Sequence, residues 1–263
     1  MHPIERLRYV ARAGVVPVVP LVRESAAALA SFADDPKGLL TSCRRLLDRR
    51  SDCAPLVWLA ARMLTAMDPR SEAARVVKDL EADTTARALR HGLDCLRAGS
   101  RVLAAGELGT FTSALHDRPD MQSLQPDGPG AEAGAVVPGG STLAADNLEP
   151  DDPEAAVDLV LMTSDCVGPS QALVAAETVP VVEAARNWGT PVWLIAGEGR
   201  VLPQQMWGLL SARHSPDDPA MAGLAVLDLN RFVTTVVTPS GLRAPVEAAR
   251  RSGCPIVPEL FTR

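Results

Sequence analysis

The stretch "VDLVLMTSDCVGPSQALVAAETVPVVEAARNWGTPVWLIAG", residues 157–197, decides how the chain is read. It opens on an uncharged run at 159–162, passes a polar turn at Ser164-Asp165, continues through an alanine-rich amphipathic stretch, and closes on a second uncharged run at 192–195. Two apolar runs of strand length joined by a helical stretch spell a parallel crossover, and runs without charge suit strands covered on both faces. The spacing predicts a helix that begins directly after the turn, near Ser170.

The same rhythm recurs on either side. "SRVLAAGELGTFTSAL" (100–115) reads as strand, glycine turn and helix, "GLAVLDLN" (223–230) as strand, and "FVTTVVTPSGLRAPVEAARRSG" (232–253) as strand, turn and helix. Before residue 99 the pattern is helical. "HPIERLRYVARAG" puts Ile4, Leu7 and Val10 on one face; Pro17 and Pro20 then interrupt regularity, because proline cannot donate to a helix or a central strand. Helix resumes at "LVRESAAALASFA", with Leu21, Ala28, Leu29 and Phe32 inward. Two further helices open on Asp-Pro pairs at Asp35-Pro36 and Asp68-Pro69, a cap followed by a preset first turn. The all-round apolar "APLVWLAARMLTAM" (54–67) is the central helix of this unit. The expected fold is therefore α/β, an N-terminal helical unit (1–98) followed by a Rossmann-like parallel sheet domain (99–263). Residues 117–154 are dense in Gly, Pro and Asp and read as a long loop with short strands at Gln122–Gln125 and Ala135–Val137.

Charge and composition exclude several functions. A net charge of −6 disfavours general nucleic-acid binding, which needs a basic face. The balance of Lys+Arg to Asp+Glu is 16 to 12 over residues 1–99 and 10 to 20 over 100–263, in keeping with two distinct units. Residues 93–263 contain no lysine, which removes Schiff-base chemistry and a Walker-type phosphate lysine there. Five cysteines, an odd number with no C-x-x-C pair, argue against a disulfide framework or structural zinc, and four scattered histidines argue against a metal site. No cofactor or metal is expected. With no apolar leader segment and no membrane-length apolar run, the expectation is a cytoplasmic protein without a membrane partner. Trp188 and Trp207 read either as core or as a subunit interface.

Residues 157–197 and 232–250 resemble the C-terminal domain of the translation initiation factor 2B regulatory subunits, a family that includes the methylthioribose-1-phosphate and ribose-1,5-bisphosphate isomerases. The first segment is similar to that family's strand, Gly-Ala-Asp turn, helix and following strand. "FVTTVVTPSGLRAPVEAAR" is similar to its C-terminal strand, turn and helix. The resemblance places Asp165 at the Gly-Ala-Asp aspartate. It sets Ser170, Gln171 and Ala172 against the isomerases' Asn-Gly-Asp, and Ala175 and Ala176 against their Asn-Lys. The general acid is thus replaced by Ala172, and the region "VLAAGELG" lacks the isomerases' cysteine. Aldose–ketose isomerisation moves protons through positioned groups of suitable pKa, and alanines supply none. The resemblance also implies a homodimer.

In an open parallel sheet, ligands bind beyond the carboxyl ends of the strands. Four turns are expected there: Gly106-Glu107, Thr163-Ser164-Asp165, Gly197-Glu198-Gly199-Arg200 and Thr238-Pro239-Ser240-Gly241. "AGEGR" is the best ligand-binding candidate, since an arginine beside free backbone N–H groups suits phosphate; a tight turn with a solvated arginine is the plainer reading. Asp165 reads as a base, a ribose-hydroxyl acceptor or a loop cap, and Cys166 as a nucleophile or a small core thiol. The candidate catalytic residues are Asp165, Cys166 and Glu107. The candidate ligand-binding residues are Gly197, Gly199, Arg200, Ser164, Thr238, Ser240 and Gly241. The expected function is a non-catalytic, initiation-factor-2B-like protein that binds a phosphorylated sugar or nucleotide as a sensor or assembly partner. The alternatives are a sugar-phosphate isomerase with relocated catalytic groups and a protein–protein interaction module.

Overall fold

A computed structural model describes residues 17–118, 120–127, 141–144, 156–215 and 218–262. The helix expected over 1–14 and the strand expected at 135–137 lie outside these residues. Among the described residues five α-helices precede the first strand: α1 (Val18–Leu29), α2 (Pro36–Leu47), α3 (Ala54–Thr65), α4 (Pro69–Glu81) and α5 (Thr85–Leu93). Asp35 caps α2 by accepting from Gly38 N–H, and Asp68 caps α4 by accepting from the N–H groups of Arg70 and Ser71, so the Asp-Pro pairs act as expected. Pro20 does not delay α1. It falls in the first turn, where no intrahelical partner is needed for its missing N–H. Helix α3 is buried on almost every side, as its composition requires.

The main sheet has seven strands in the order β10-β9-β7-β4-β1-β2-β3, among the described residues. They are β1 (Arg101–Ala105), β2 (Gln122–Asp127), β3 (Ser141–Ala144), β4 (Leu159–Thr163), β7 (Val192–Ile195), β9 (Thr235–Thr238) and β10 (Gly241–Arg243). All neighbours are parallel except β9 and β10, which form a hairpin. Alternate residues of β1 serve opposite faces. Val102 and Ala104 join Leu89 and Leu93 of α5 and Ala114 and Leu115 of the short α6 (Thr112–His116). Leu103 and Ala105 join Val181, Val182 and Ala185 of α7 (Val179–Asn187) and Ala248 and Ala249 of α10 (Pro245–Arg250). Both faces are therefore covered, which is why the central strands β4 and β7 lack charge.

The structure corrects the expected helix after Ser164-Asp165. That stretch forms a hairpin, β5 (Cys166–Val167) and β6 (Gln171–Ala175), and after a 3-10 turn at Ala176–Thr178 the α-helix begins only at Val179. β8 (Leu224–Asp228), expected in the main sheet, pairs antiparallel with β6 instead, giving a second sheet in the order β5-β6-β8. This small sheet is a bridging layer. Cys166 and Leu173 face the core of the helical unit, together with Met206, Trp207 and Leu210 of α8 (Gln204–Ser211), while Val167, Ala172 and Val174 face the core of the α/β unit. Helix α9 (Leu229–Phe232) follows β8. Trp207 is only 2% exposed, which makes it core rather than interface. A Cβ on Gly168 would stand 2.4 Å from its indole, so the β5–β6 turn has to present a bare backbone there.

Candidate functional site at the strand ends

Chain order reverses between β1 and β4: β2 and β3 extend the sheet from β1 in one direction, while β4, β7 and β9 extend it in the other. The loops leaving β1 and β4 diverge at such a point and leave a crevice at the carboxyl ends of the strands. The four turns named above follow β1, β4, β7 and β9, which are neighbours in the sheet. Thr163 Oγ1 donates to the Glu107 carbonyl at 3.0 Å, tying together the turns on either side of the reversal. Gly106 turns the chain out of β1 with φ +77°, and a Cβ there would lie 2.9 Å from the Thr178 methyl.

Arg200 and Asp165 meet across this edge. Arg200 Nε lies 3.1 Å from Asp165 Oδ1, with the arginine side chain 18% exposed and the aspartate 50%. The guanidinium also sits 5.8 Å from the centroid of Phe111, which arrives from the loop after β1. The Arg200 carbonyl accepts from Val167 N–H at 2.9 Å, and the Asp165 carbonyl accepts from Ala54 N–H at 3.1 Å, so both backbones are fixed. The Asp165 carboxylate reaches the surface beside a cation, whereas its peptide is tied to the start of α3.

The turn that carries Arg200 is closed by Arg200 N–H donating to the Gly197 carbonyl at 3.2 Å, and Gly199 adopts φ +71°. Two residues of the helical unit hold this turn. Asp83 Oδ2 accepts from Glu198 N–H at 3.1 Å, and the face of Trp58 lies against Gly199, where a Cβ would be 2.5 Å from the ring. Trp58 is itself held by Nε1 donating to the Gly253 carbonyl at 3.2 Å and by Arg62 stacked at 4.9 Å. Burial, with Asp83 and Asp79 nearby, pushes the Glu198 carboxyl above its ordinary value, against a smaller opposing effect of Arg62. Sequence reasoning missed Asp83, Trp58 and Phe111 as parts of this edge. The pattern Asp83-Thr84-Thr85 signals a helix start and says nothing of a partner more than a hundred residues later.

The remaining candidates fall differently. Ser164 is buried; its Oγ donates to the Leu173 carbonyl at 2.6 Å, lies 3.1 Å from the Cys166 carbonyl and accepts from Cys166 N–H at 3.1 Å. That hydroxyl organises the β5–β6 hairpin. Cys166 is fully buried, and burial pushes its thiol well above the usual range, so it is held as a neutral thiol with no path to solvent. Glu107 is exposed. Thr238 Oγ1 lies 3.0 Å from Ser240 Oγ and donates to the Gly241 carbonyl at 3.0 Å, and Pro239 accepts from Thr84 Oγ1 at 3.2 Å. Two surface depressions, of about 410 and 570 Å³, lie elsewhere, around Arg62 and Arg75 and around Arg44 and Arg213. No group of three or more metal-ligating side chains occurs among the described residues. No helix among them is long and apolar enough to cross a membrane.

A covered parallel sheet preceded by a helical unit, with polar turns gathered at a strand-order reversal, defines a Rossmann-like α/β protein with its candidate site on the carboxyl edge. No family model matches the sequence, and no curated protein matches it. Solved structures share its fold. Translation initiation factor eIF-2B from Pyrococcus horikoshii OT3 superposes with a TM-score of 0.67 at 13% identity, covering 93% of this chain and 98% of that one. The tetrameric eIF2B-beta2-delta2 complex from C. thermophilum gives 0.69 at 15%, over 94% and 92%. The 5-methylthioribose 1-phosphate isomerase from Pyrococcus horikoshii OT3 gives 0.57 at 14%, over 95% and 86%. The chain thus has the fold shared by eIF-2B subunits and that isomerase, along nearly its whole length.

Proposed function

We propose that this protein is a non-catalytic relative of the eIF-2B and isomerase group that binds a phosphorylated sugar or nucleotide at the strand edge and acts as a sensor or assembly partner. The observation that carries the non-catalytic part is the setting of Ala172. The position that the resemblance assigns to the isomerases' general acid is a fully buried alanine, paired with Val167 and Leu227 and packed among apolar side chains. A proton-transfer group needs contact with substrate and a matched pKa, and an apolar interior offers neither. The buried, neutral thiol of Cys166 argues the same way against a relocated nucleophile.

Arg200 supports the binding part. It is a cation on the turn after β7, braced by Asp165 and Phe111 from the turns on either side of the reversal, and a guanidinium held in place suits a phosphate's oxygens. Assembly with further chains is a reading by analogy with the tetrameric eIF2B-beta2-delta2 complex. The test is a thermal-shift panel of pentose phosphates and nucleoside monophosphates on the wild type and on Arg200→Ala. The expected result is a rise in Tm with at least one phosphorylated ligand that disappears in the variant. A wild type unmoved by every ligand, or a shift that survives loss of Arg200, contradicts the proposal.

A further inference from the structure

We infer that Asp83, in the helical unit, is a positioning residue for the strand-edge anion site: it sets the turn that aims Arg200. This rests on the reading that Arg200 holds the anion. Asp83 does not reach the edge itself. It lies between α4 and α5 and grips two backbones at once. Its Oδ1 accepts from Thr85 N–H at 2.8 Å and from Thr85 Oγ1 at 2.6 Å, which fixes the carboxylate at the start of α5. Its Oδ2 then accepts from Glu198 N–H, the second residue of the four-residue turn 197–200.

The same oxygen explains why the turn opens on glycine, because a Cβ on Gly197 would come within 2.5 Å of it. Carboxylate and turn are therefore in contact on both sides of the Gly197–Glu198 peptide. With Trp58 beneath Gly199, the helical unit holds the second and third residues of the turn, and Arg200 is the fourth. A guanidinium at the end of a turn braced in this way has its direction set before a ligand arrives, which lowers the ordering cost of binding. The helical unit would thereby control affinity at the edge of the other unit without touching the ligand.

The sign of the effect separates positioning from simple electrostatics. Asp83 carries a negative charge near a site for anions, so if charge alone mattered, removing it would tighten binding. Positioning predicts the opposite. Asn at this place keeps one acceptor oxygen and has to abandon either Thr85 or Glu198, whereas Ala abandons both. Isothermal titration with ribose 5-phosphate should therefore rank affinity as wild type, then Asp83→Asn, then Asp83→Ala, with the alanine variant weaker by about tenfold. Equal or tighter binding by the two variants overturns the inference while leaving the anion site intact. A wild type that does not bind overturns the anion reading, and the inference with it. Should the Asp83 variants fail to fold, Thr85→Val decides, since it removes one of the holds on an intact Asp83 carboxylate without touching Arg200: weakened binding supports positioning, and wild-type affinity refutes it.

Discussion

The Ser164 hydroxyl ties the β5–β6 hairpin together, and the size of that tie can be measured. The perturbation is Ser164→Ala. The wild-type hydroxyl is 4% exposed and makes its contacts inside the β5–β6 hairpin, to the Leu173 carbonyl at 2.6 Å and with Cys166 N–H at 3.1 Å. The methyl group of alanine fills nearly the same space, so no cavity opens and the cost is the loss of hydrogen bonds. A buried donor and a buried acceptor both lose this partner at about 1–3 kcal/mol each, and part of that is recovered within the hairpin ladder. A net loss of about 3 kcal/mol is expected. For a chain of this size that corresponds to a fall in Tm of about 6–12 °C. Circular dichroism melts measure it, with ribose 5-phosphate affinity determined below the transition of both proteins. The reasoning requires a large fall in Tm with affinity little changed. A variant as stable as the wild type, or one of normal stability that has lost the ligand, would refute it and return Ser164 to the binding surface.

Other consequences follow from burial. Cys43, Cys53 and Cys254 have thiols pushed up to about 12 by burial and Cys166 is pushed well above its ordinary value, whereas Cys95 is exposed. A thiol-titrating disulfide reagent at mildly alkaline pH should modify one cysteine in the folded chain and all five in denaturant; rapid modification of a second folded thiol would contradict the described packing. Glu198 is raised by burial and by neighbouring carboxylates, so its protonated form favours the folded state. That contribution is complete below the ordinary glutamate range and is lost as pH climbs through the raised value. Glu198→Gln removes the titration. The wild type should lose Tm relative to this variant between mildly acidic and neutral pH, and parallel pH profiles would count against the assignment.

Much of the fold is legible in the sequence because it rests on local chemistry. Asp35-Pro36 and Asp68-Pro69 announce helices through capping oxygens and a preset φ, and "LVLM" and "VWLI" announce covered strands through the absence of charge. The misreading at 171–175 has an equally physical cause. "QALVA" is a short run with Ala172, Leu173 and Val174 all buried, so it lacks the alternation that marks a half-exposed strand, and alanine and leucine are also strong helix formers. Its partner β8 lies about fifty residues away, and no local signal announces that pairing. Pro180, in the first turn of α7, is the feature that marks where the helix does start. The candidate site divides in the same manner. Arg200 and Asp165 are visible as residue types on expected turns. Their contact, and the grip of Asp83 and Trp58 on the turn that carries Arg200, depend on how the helical unit packs against the sheet.

The central claim, an anion site at Arg200 without catalysis, is tested most directly by phosphorus NMR of ribose 5-phosphate mixed with the wild type and with Arg200→Ala. The account predicts that the ligand resonance shifts or broadens with the wild type and stays unperturbed with the variant, and that no new phosphorus signal grows in either sample. A product resonance appearing with the wild type, or a ligand resonance that neither protein disturbs, would contradict it.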